Sequence, residues 1–418
     1  MTGSLANRLA TLCRMGQVIN SSLVLDEVLD LVLDNSIELM NAERGAILLF
    51  DDNGELNVRA ARDSEKNPVS ADAFRTSQHI LREVALSGTP RIINDALAEQ
   101  GYRAYGSVFI HRLRSILCVP LTVRQRARGV LYVDNRLRTA AFTDDDLELL
   151  TAFADQAAVA IENARLYEEL GQRERLRREL EIARAIQKSL MPRQLPELPG
   201  FQIAAACSPA RDVGGDFYDV VGTENESIVM FLGDVSGKGI PAALLMGMVR
   251  TLLRSELLRA QSLVDAVRQC NRVLYEDFTN TSMFATLTVA MLDIASRTLR
   301  YLNCGHCESL LWRAATGTIE RLTGDGLPLG ILDDFELSEQ TVQLEPNDIV
   351  LTYSDGFSEA RSVTSELFGV ERLCEALRAS AHWAAADILE YIEGVTERFA
   401  QGAGQADDQT IVVLRATD

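Results

Sequence analysis

Apolar residues recur at helical spacing over residues 5–19 and 25–40, with the cap and turn formers Asn20, Ser21 and Ser22 between the two stretches. The period then shortens to that of strands. Two apolar runs, 45–50 and 56–61, flank the turn Asp51-Asp52-Asn53-Gly54 and predict a strand pair. A helix is expected over 70–86, ending at Ser87-Gly88, followed by an extended segment at 90–94. Strands are expected at 115–123 and 129–134, on either side of the basic turn 124–128. Thr143 and the acids Asp144, Asp145 and Asp146 open a long helix, because a hydroxyl caps free amides and acids suit the positive end of the dipole. Nothing breaks that helix before Pro192.

Between residues 168 and 184 the helix alternates acids with arginines. Leu166, Leu170, Leu176, Leu180, Ala183 and Leu190 form a seam of roughly heptad spacing, interrupted by Arg173 and Arg177. Two readings stay open: a solvated connector laced with ion pairs, or a dimeric coiled coil. The second is favoured, because a one-sided row of leucines needs a partner. Pro192, Pro196 and Pro199 mark a domain boundary. Beyond them strands are expected at 201–207, 217–221, 227–232, 286–294, 299–302, 310–313, 349–352 and 410–414. Helices are expected at 240–258, 262–278, 371–377 and 384–399. Strands grouped around paired helices predict an α+β layered sandwich.

A chain of 418 residues, 47% hydrophobic, has room for two or three domains. Its formal charge of −19 argues against a nucleic-acid partner, whose phosphates call for a basic face. No apolar run is long enough to span a bilayer, and the N-terminus lacks a signal-peptide pattern, so a cytoplasmic protein is expected. The cysteines at 13, 118, 207, 270, 304, 307 and 374 read as reduced thiols. Cys304-Gly305-His306-Cys307 spells a dithiol motif, but it lies between two apolar runs rather than in the strand–helix setting such chemistry needs. No second Cys/His pair completes a zinc site.

Candidate chemistry lies in four acidic segments: Gly214-Gly215-Asp216, Gly233-Asp234-Val235-Ser236-Gly237-Lys238-Gly239, Ser354-Asp355-Gly356 and Asp407-Asp408-Gln409-Thr410. Each lies at or near the end of a predicted strand. Carboxylates delivered by several strand ends suit Mg²⁺ or Mn²⁺, which prefer oxygen ligands. Gathered without cations they would raise one another's pKa, a penalty that bound metal removes. Two such ions can acidify a shared water and neutralise phosphate oxygens, which makes a nucleophilic side chain unnecessary. With four histidines in the chain and no Ser/His/Asp pattern, covalent hydrolysis is a poor competitor.

On these segments, together with Leu190-Met191-Pro192, Arg211-Asp212-Val213, Met283-Phe284-Ala285-Thr286-Leu287, Asn303-Cys304-Gly305-His306 and Gly326-Leu327-Pro328-Leu329-Gly330, residues 192–418 resemble the SpoIIE/RsbU-type branch of the metal-dependent PPM (PP2C-like) serine/threonine phosphatases. The resemblance implies an αββα sandwich holding two Mn²⁺ or Mg²⁺ ions. The ligands it implies are Asp216, Asp234, Asp355 and Asp407, with Asp234 bridging both ions and the Val235 carbonyl as a backbone ligand. Asp407 is preferred to Asp408 because the family's ligand is the first residue of that motif. Arg211 stands where relatives hold the substrate phosphate, or is a surface arginine pairing Asp212 or Asp219. His306 matches a structural turn of the family rather than a general acid; Cys304 and Cys307 depart from its usual residues there. The Gly-Gly-Asp-Phe run also resembles a diguanylate cyclase signature, but lacks the glutamate that should follow and the aspartate that should precede it.

Residues 1–165 resemble a GAF domain, an antiparallel sheet with flanking helices. The paired N-terminal helices, Ala42-Glu43-Arg44-Gly45, the strand at 115–120, and the run from Gly129 through Asn135 to Phe142-Thr143 carry the likeness. Asn135, Arg136, Phe142 and Asp146 partly match the motif of cyclic-nucleotide-binding members, though those residues also serve packing in others. A sensory ligand, a partner protein and a dimer scaffold all remain open. The arrangement expected is therefore a GAF domain at 1–165, a helical linker at 166–191 and a phosphatase domain at 192–418. The resemblance implies a phosphorylated STAS-type anti-sigma-factor antagonist as substrate and a homodimer through GAF and linker helices. The runner-up is a catalytically silent module that binds the same phosphoprotein.

Overall fold

A computed structural model describes residues 16, 17, 19, 21–51, 53–94, 115–136, 139–223, 227–259 and 262–417. The helix expected over 5–19 lies outside them apart from residues 16, 17 and 19, which are helical. The chain divides into two compact units, Met1–Leu176 and Arg177–Asp418.

In the first unit, helix α1 (Leu25–Met40) precedes strands β1 (Arg44–Phe50) and β2 (Leu56–Asp63). A 3₁₀ stretch, Ala71–Ser77, runs into α2 (Gln78–Ser87), so the helix expected over 70–86 is tightened in its first half. Strands β3 (Arg91–Ile93), β4 (Ser115–Val123) and β5 (Arg126–Asn135) complete an antiparallel sheet ordered β2-β1-β5-β4-β3. Because β4 is apolar at every position from Ile116 to Leu121, it buries both faces. Leu117, Val119 and Leu121 pack with α1 and the long helix α3 (Asp144–Leu190), whereas Ile116 and Cys118 pack with Phe74, Leu81 and Val84. Thr143 and Asp146 cap α3 reciprocally: Thr143 Oγ1 accepts from the Asp146 amide, and Asp146 Oδ2 accepts from the Thr143 amide at 2.9 Å.

The four residues of the nucleotide-like motif all serve this scaffold. Asn135 Oδ1 accepts from the Glu43 amide at 3.0 Å, Arg136 pairs with Glu43, Phe142 is core, and Asp146 caps α3. Beneath them Arg44 and Asp134 form a buried ion pair at 2.9 Å.

The second unit has two five-stranded antiparallel sheets. One, ordered β13-β10-β9-β8-β7, contains β7 (Asp216–Gly222), β8 (Ser227–Val235), β9 (Ala285–Asp293), β10 (Thr298–Cys304) and β13 (Gln340–Gln343). The other, ordered β12-β11-β14-β15-β6, contains β6 (Phe201–Ser208), β11 (Ser309–Arg313), β12 (Thr318–Leu322), β14 (Ile349–Tyr353) and β15 (Gln409–Ala416). Strand alternation builds three cores. Ile228, Met230 and Leu292 face Leu311, Val350 and Leu414 between the sheets. On the outer face of the first sheet, Val229 and Phe231 meet α4 (Ile240–Leu257) and α5 (Leu263–Thr281). On the outer face of the second, Leu351 and Val413 meet α6 (Gly369–Ser380) and α7 (Ala385–Ala400). The layers run α, β, β, α. Strands β12 and β13 escaped the sequence reading because they are short, half-polar edge strands.

Along α3, Leu166, Leu170 and Leu176 of the expected seam are exposed, as are Ile182 and Ile186, which the seam omitted. Leu180 and Ala183 are half-buried, and Leu190 and Met191 pack against the core of the second unit beneath α4. Arg165–Glu169 and Arg177–Glu181 are i,i+4 ion pairs on its surface.

Asp219 on β7 is fully buried and pairs with Arg250 and Arg254 of α4 at 2.6 and 2.7 Å. Asp219→Ala strands the buried Arg250 charge and should lower the unfolding free energy by about 3 kcal/mol. Urea denaturation checks this, and an unchanged midpoint would contradict the role given to the pair.

Candidate metal centre

Strands β7 and β8 pair so that Asp216 and Asp234 lie directly opposite each other, at the first residue of β7 and near the last of β8. Both carboxyls therefore emerge at one end of their sheet. In the other sheet, β14 stops at Tyr353, and Ser354 caps a single helical turn, Asp355–Ser358, so Asp355 opens a turn rather than ending the strand. The neighbouring strand β15 begins at Gln409, with Tyr353 opposite Ile411, which brings Asp407 and Asp408 beside Ser354 and Asp355. Hydrogen bonds lock this corner: Ser354 Oγ accepts from the Thr410 amide at 2.9 Å and donates to the Asp408 carbonyl at 3.2 Å.

Asp408 joins the two sheets. Its Oδ1 accepts from the Ala210 amide at 2.8 Å, and its Oδ2 accepts from the Gly215 and Asp216 amides at 2.7 and 3.4 Å. Gly214 and Gly215 make this approach possible. A Cβ at Gly214 would collide with the Asp408 carboxylate, and one at Gly215 with the Val235 carbonyl. Asp407, by contrast, is half-exposed, and its Oδ2 meets Lys238 Nζ at 2.8 Å.

The electrostatics match a crowded set of carboxyls. Burial, and then the Asp234 charge, push Asp216 well above the ordinary carboxylate range. Asp234 is pushed up to about 7 by burial first, then by Asp355 and Asp407. Asp355 is raised by burial, then by Asp407 and Glu359. Asp216 Oδ2 is buried without a hydrogen-bond partner. Among the described residues, no three acidic, histidine or cysteine side chains are drawn together into a ready cage. The donor set nevertheless fits a hard divalent cation: it is all oxygen, short of positive charge, and contains a buried carboxylate oxygen with nothing to bind.

Arg211 is exposed on the turn before Gly214, and Asp219 is not its partner, being taken by Arg250 and Arg254. His306 is buried, with Nδ1 2.7 Å from Thr286 Oγ1, and burial lowers its pKa to about 4, so it is neutral at pH 7. Asn303 holds the turn by accepting from the His306 amide at 2.7 Å and donating to the His306 and Cys307 carbonyls. Cys304 and Cys307 are free thiols pushed up to about 12 by burial, which suppresses the thiolate that redox chemistry requires. Three participants had gone unnoticed in the sequence: Asp408 as the tie between sheets, Lys238 on Asp407, and Gln187 of α3, whose amide bonds the Gly214 backbone.

Comparison with known proteins agrees with this fold. Residues 224–417 match the Stage II sporulation protein E (SpoIIE) family, and residues 22–162 match the GAF domain family. The structure is similar to the SiaA-PP2C domain of Pseudomonas aeruginosa, with a TM-score of 0.52 and 21% identity over 58% of this chain and 98% of that one. The class is thus a GAF domain followed by a domain of PP2C fold. Protein IcfG of Synechocystis sp. is 32% identical over 264 residues, covering 57% of this chain but 41% of IcfG. Phosphoserine phosphatase RsbU of Bacillus subtilis is 30% identical over 249 residues, covering 59% of this chain and 72% of RsbU. The chain belongs to the SpoIIE/RsbU family of PPM-type protein phosphatases.

Without metal, the folded chain keeps the Asp234 proton to about pH 7, whereas the unfolded chain releases it near the ordinary value of about 4. Between these values the folded state binds more protons, so stability falls as pH rises through that window. Urea titrations in chelator at several pH values should show the fall, and Asp234→Asn should flatten it. An equal slope in both proteins would refute the assignment.

Proposed function

We propose that the chain hydrolyses phosphoserine or phosphothreonine on a partner protein, at the end of the sandwich where Asp216, Asp234, Asp355 and Asp407 gather. The observation that carries this reading is the opposed pair Asp216 and Asp234, both with raised pKa, beside a second pair from the other sheet. Two Mn²⁺ or Mg²⁺ ions bound there would supply an acidified water and neutralise the phosphate oxygens. Asp234, flanked by carboxyls of both sheets, is assigned to both ions, with the Val235 carbonyl beside it. Asp216, Asp355 and Asp407 complete the set. Asp408 is left out because both its oxygens already accept from backbone amides. Arg211, exposed and close in sequence to Asp216, is assigned to the substrate phosphate.

RsbU is a phosphoserine phosphatase, and this supports the same bond as target here. We assign as substrate a phosphorylated STAS-type anti-sigma-factor antagonist in a partner-switching pathway. The GAF domain, residues 1–165, would regulate the phosphatase, residues 192–418, through the helical linker 166–191. The free thiols fit a reducing, cytoplasmic setting, and no helix among the described residues is long and apolar enough to cross a membrane. The exposed Leu166, Leu170 and Leu176 support a homodimer through α3.

Hydrolysis of a phosphoserine peptide should require Mn²⁺ or Mg²⁺, and Asp234→Asn should reduce the rate by at least about a thousandfold while circular dichroism stays unchanged. A metal-loaded chain without turnover would favour the silent, phosphoprotein-binding module instead. Leu170→Glu combined with Leu176→Glu should convert a dimer into a monomer in analytical ultracentrifugation. An unmodified chain that sediments as a monomer would remove the coiled-coil reading.

A further inference from the structure

We propose that Gln187 is a positioning residue that sets the metal affinity of the centre by gripping the backbone of Gly214. The inference rests on the metal-dependent reading above. Gln187 Nε2 donates to the Gly214 carbonyl at 2.7 Å, and Gln187 Oε1 accepts from the Gly214 amide at 3.1 Å. One side-chain amide thus satisfies both polar groups of one buried peptide residue. Of the side chains about this size, only a primary amide offers a donor and an acceptor side by side in that way.

What Gln187 grips is the approach to Asp216. Gly214 lies two residues before the carboxylate that opens β7. On its other side the same turn is pressed against Asp408, which accepts from the Gly215 and Asp216 amides. The turn is therefore clamped between two sheet-anchored bonds and one helix-anchored pair. Gln187 is itself placed by Leu190, three residues on, which packs against the core and reaches Gly247 of α4. A cavity of about 300 Å³ runs along the clamp, lined by Lys188, Met191, Cys207, Gly214, Asp216 and Asp408. If the amide pair is lost, two buried backbone groups are unpaired and the turn can relax into that space, carrying the unpartnered Asp216 Oδ2 with it. An outer partner of a ligand acts on affinity in this way without touching the ion.

The test uses the full chain with Gln187→Leu, which fills similar volume without hydrogen bonds, and Gln187→Glu, which keeps an acceptor for the Gly214 amide but loses the donor. Calorimetric titration with Mn²⁺ should show affinity weakened by about ten- to a hundredfold in Gln187→Leu, with a smaller loss in Gln187→Glu. The metal-free chain should stay folded, its melting temperature lowered by only a few degrees through the unpaired Gly214 groups, and the phosphopeptide rate should recover as Mn²⁺ is raised to saturation. Unchanged Mn²⁺ affinity in either foldable variant overturns the role of Gln187 alone. So does a saturated rate that falls in step with the melting temperature, because that would mark a merely structural residue. No Mn²⁺ uptake by the unmodified chain overturns the metal reading and this inference together.

Discussion

Asp408 accepts from the Ala210 amide just beyond β6 of its own sheet and from the Gly215 and Asp216 amides at the start of β7 in the other, and the geometry of the centre depends on those bonds. The apolar layer between the sheets holds them together, but burial is non-directional and does not specify which strand ends meet. Charge-assisted bonds from a carboxylate to a run of amides do specify it. They bring the start of β15 against the start of β7, and the β7–β8 register then puts Asp234 opposite Asp216. The adjacent acids of Asp407-Asp408 consequently have separate tasks. Asp408 is buried and committed to backbone, which leaves its half-exposed neighbour available to a cation or to Lys238.

The Lys238–Asp407 bond shows how the chain balances this charge with its own side chains. The Lys238 ammonium also donates to the Ala406 carbonyl at 2.8 Å, so it sits over the loop as a single positive charge. One flexible, half-exposed lysine offsets little of the repulsion among Asp216, Asp234 and Asp355, whose raised pKa values record the remainder. His306 contributes no charge because burial keeps it neutral. A pair of divalent ions would bring several times the charge of Lys238 and would compete with it for Asp407.

Much of this was legible in the chain because strand ends carry local signals. The apolar runs before Asp234 and Asp355 and the glycines before Asp216 mark where side chains leave a sheet. The unbroken apolar runs of β8 and β15 also mark strands buried on both faces. The sequence could not say which member of Asp407-Asp408 binds backbone, since that depends on the Ala210–Asp216 turn nearly two hundred residues away. Gln187 was equally hidden: one glutamine on a polar helix surface has no periodic signature, and its partner is main chain. The edge strands β12 and β13 were missed for a related reason, since one face of each meets solvent and their side chains alternate only weakly.

The long helix α3 poses the remaining energetic question. Its ends are held by burial, Phe153 and Ile161 at one and Leu190 at the other. Between them Leu170, Leu176, Ile182 and Ile186 expose more than half of their surface. The i,i+4 pairs Arg165–Glu169 and Arg177–Glu181 each contribute only about 0.2–0.5 kcal/mol. Covering each exposed aliphatic side chain would contribute about 1.5–3 kcal/mol. Helical propensity and ion pairs therefore leave the middle of α3 weakly determined, and whatever buries its apolar residues outweighs them. Gln187 lies in the same helix, next to Ile186, but it is anchored to Gly214 through its own amide.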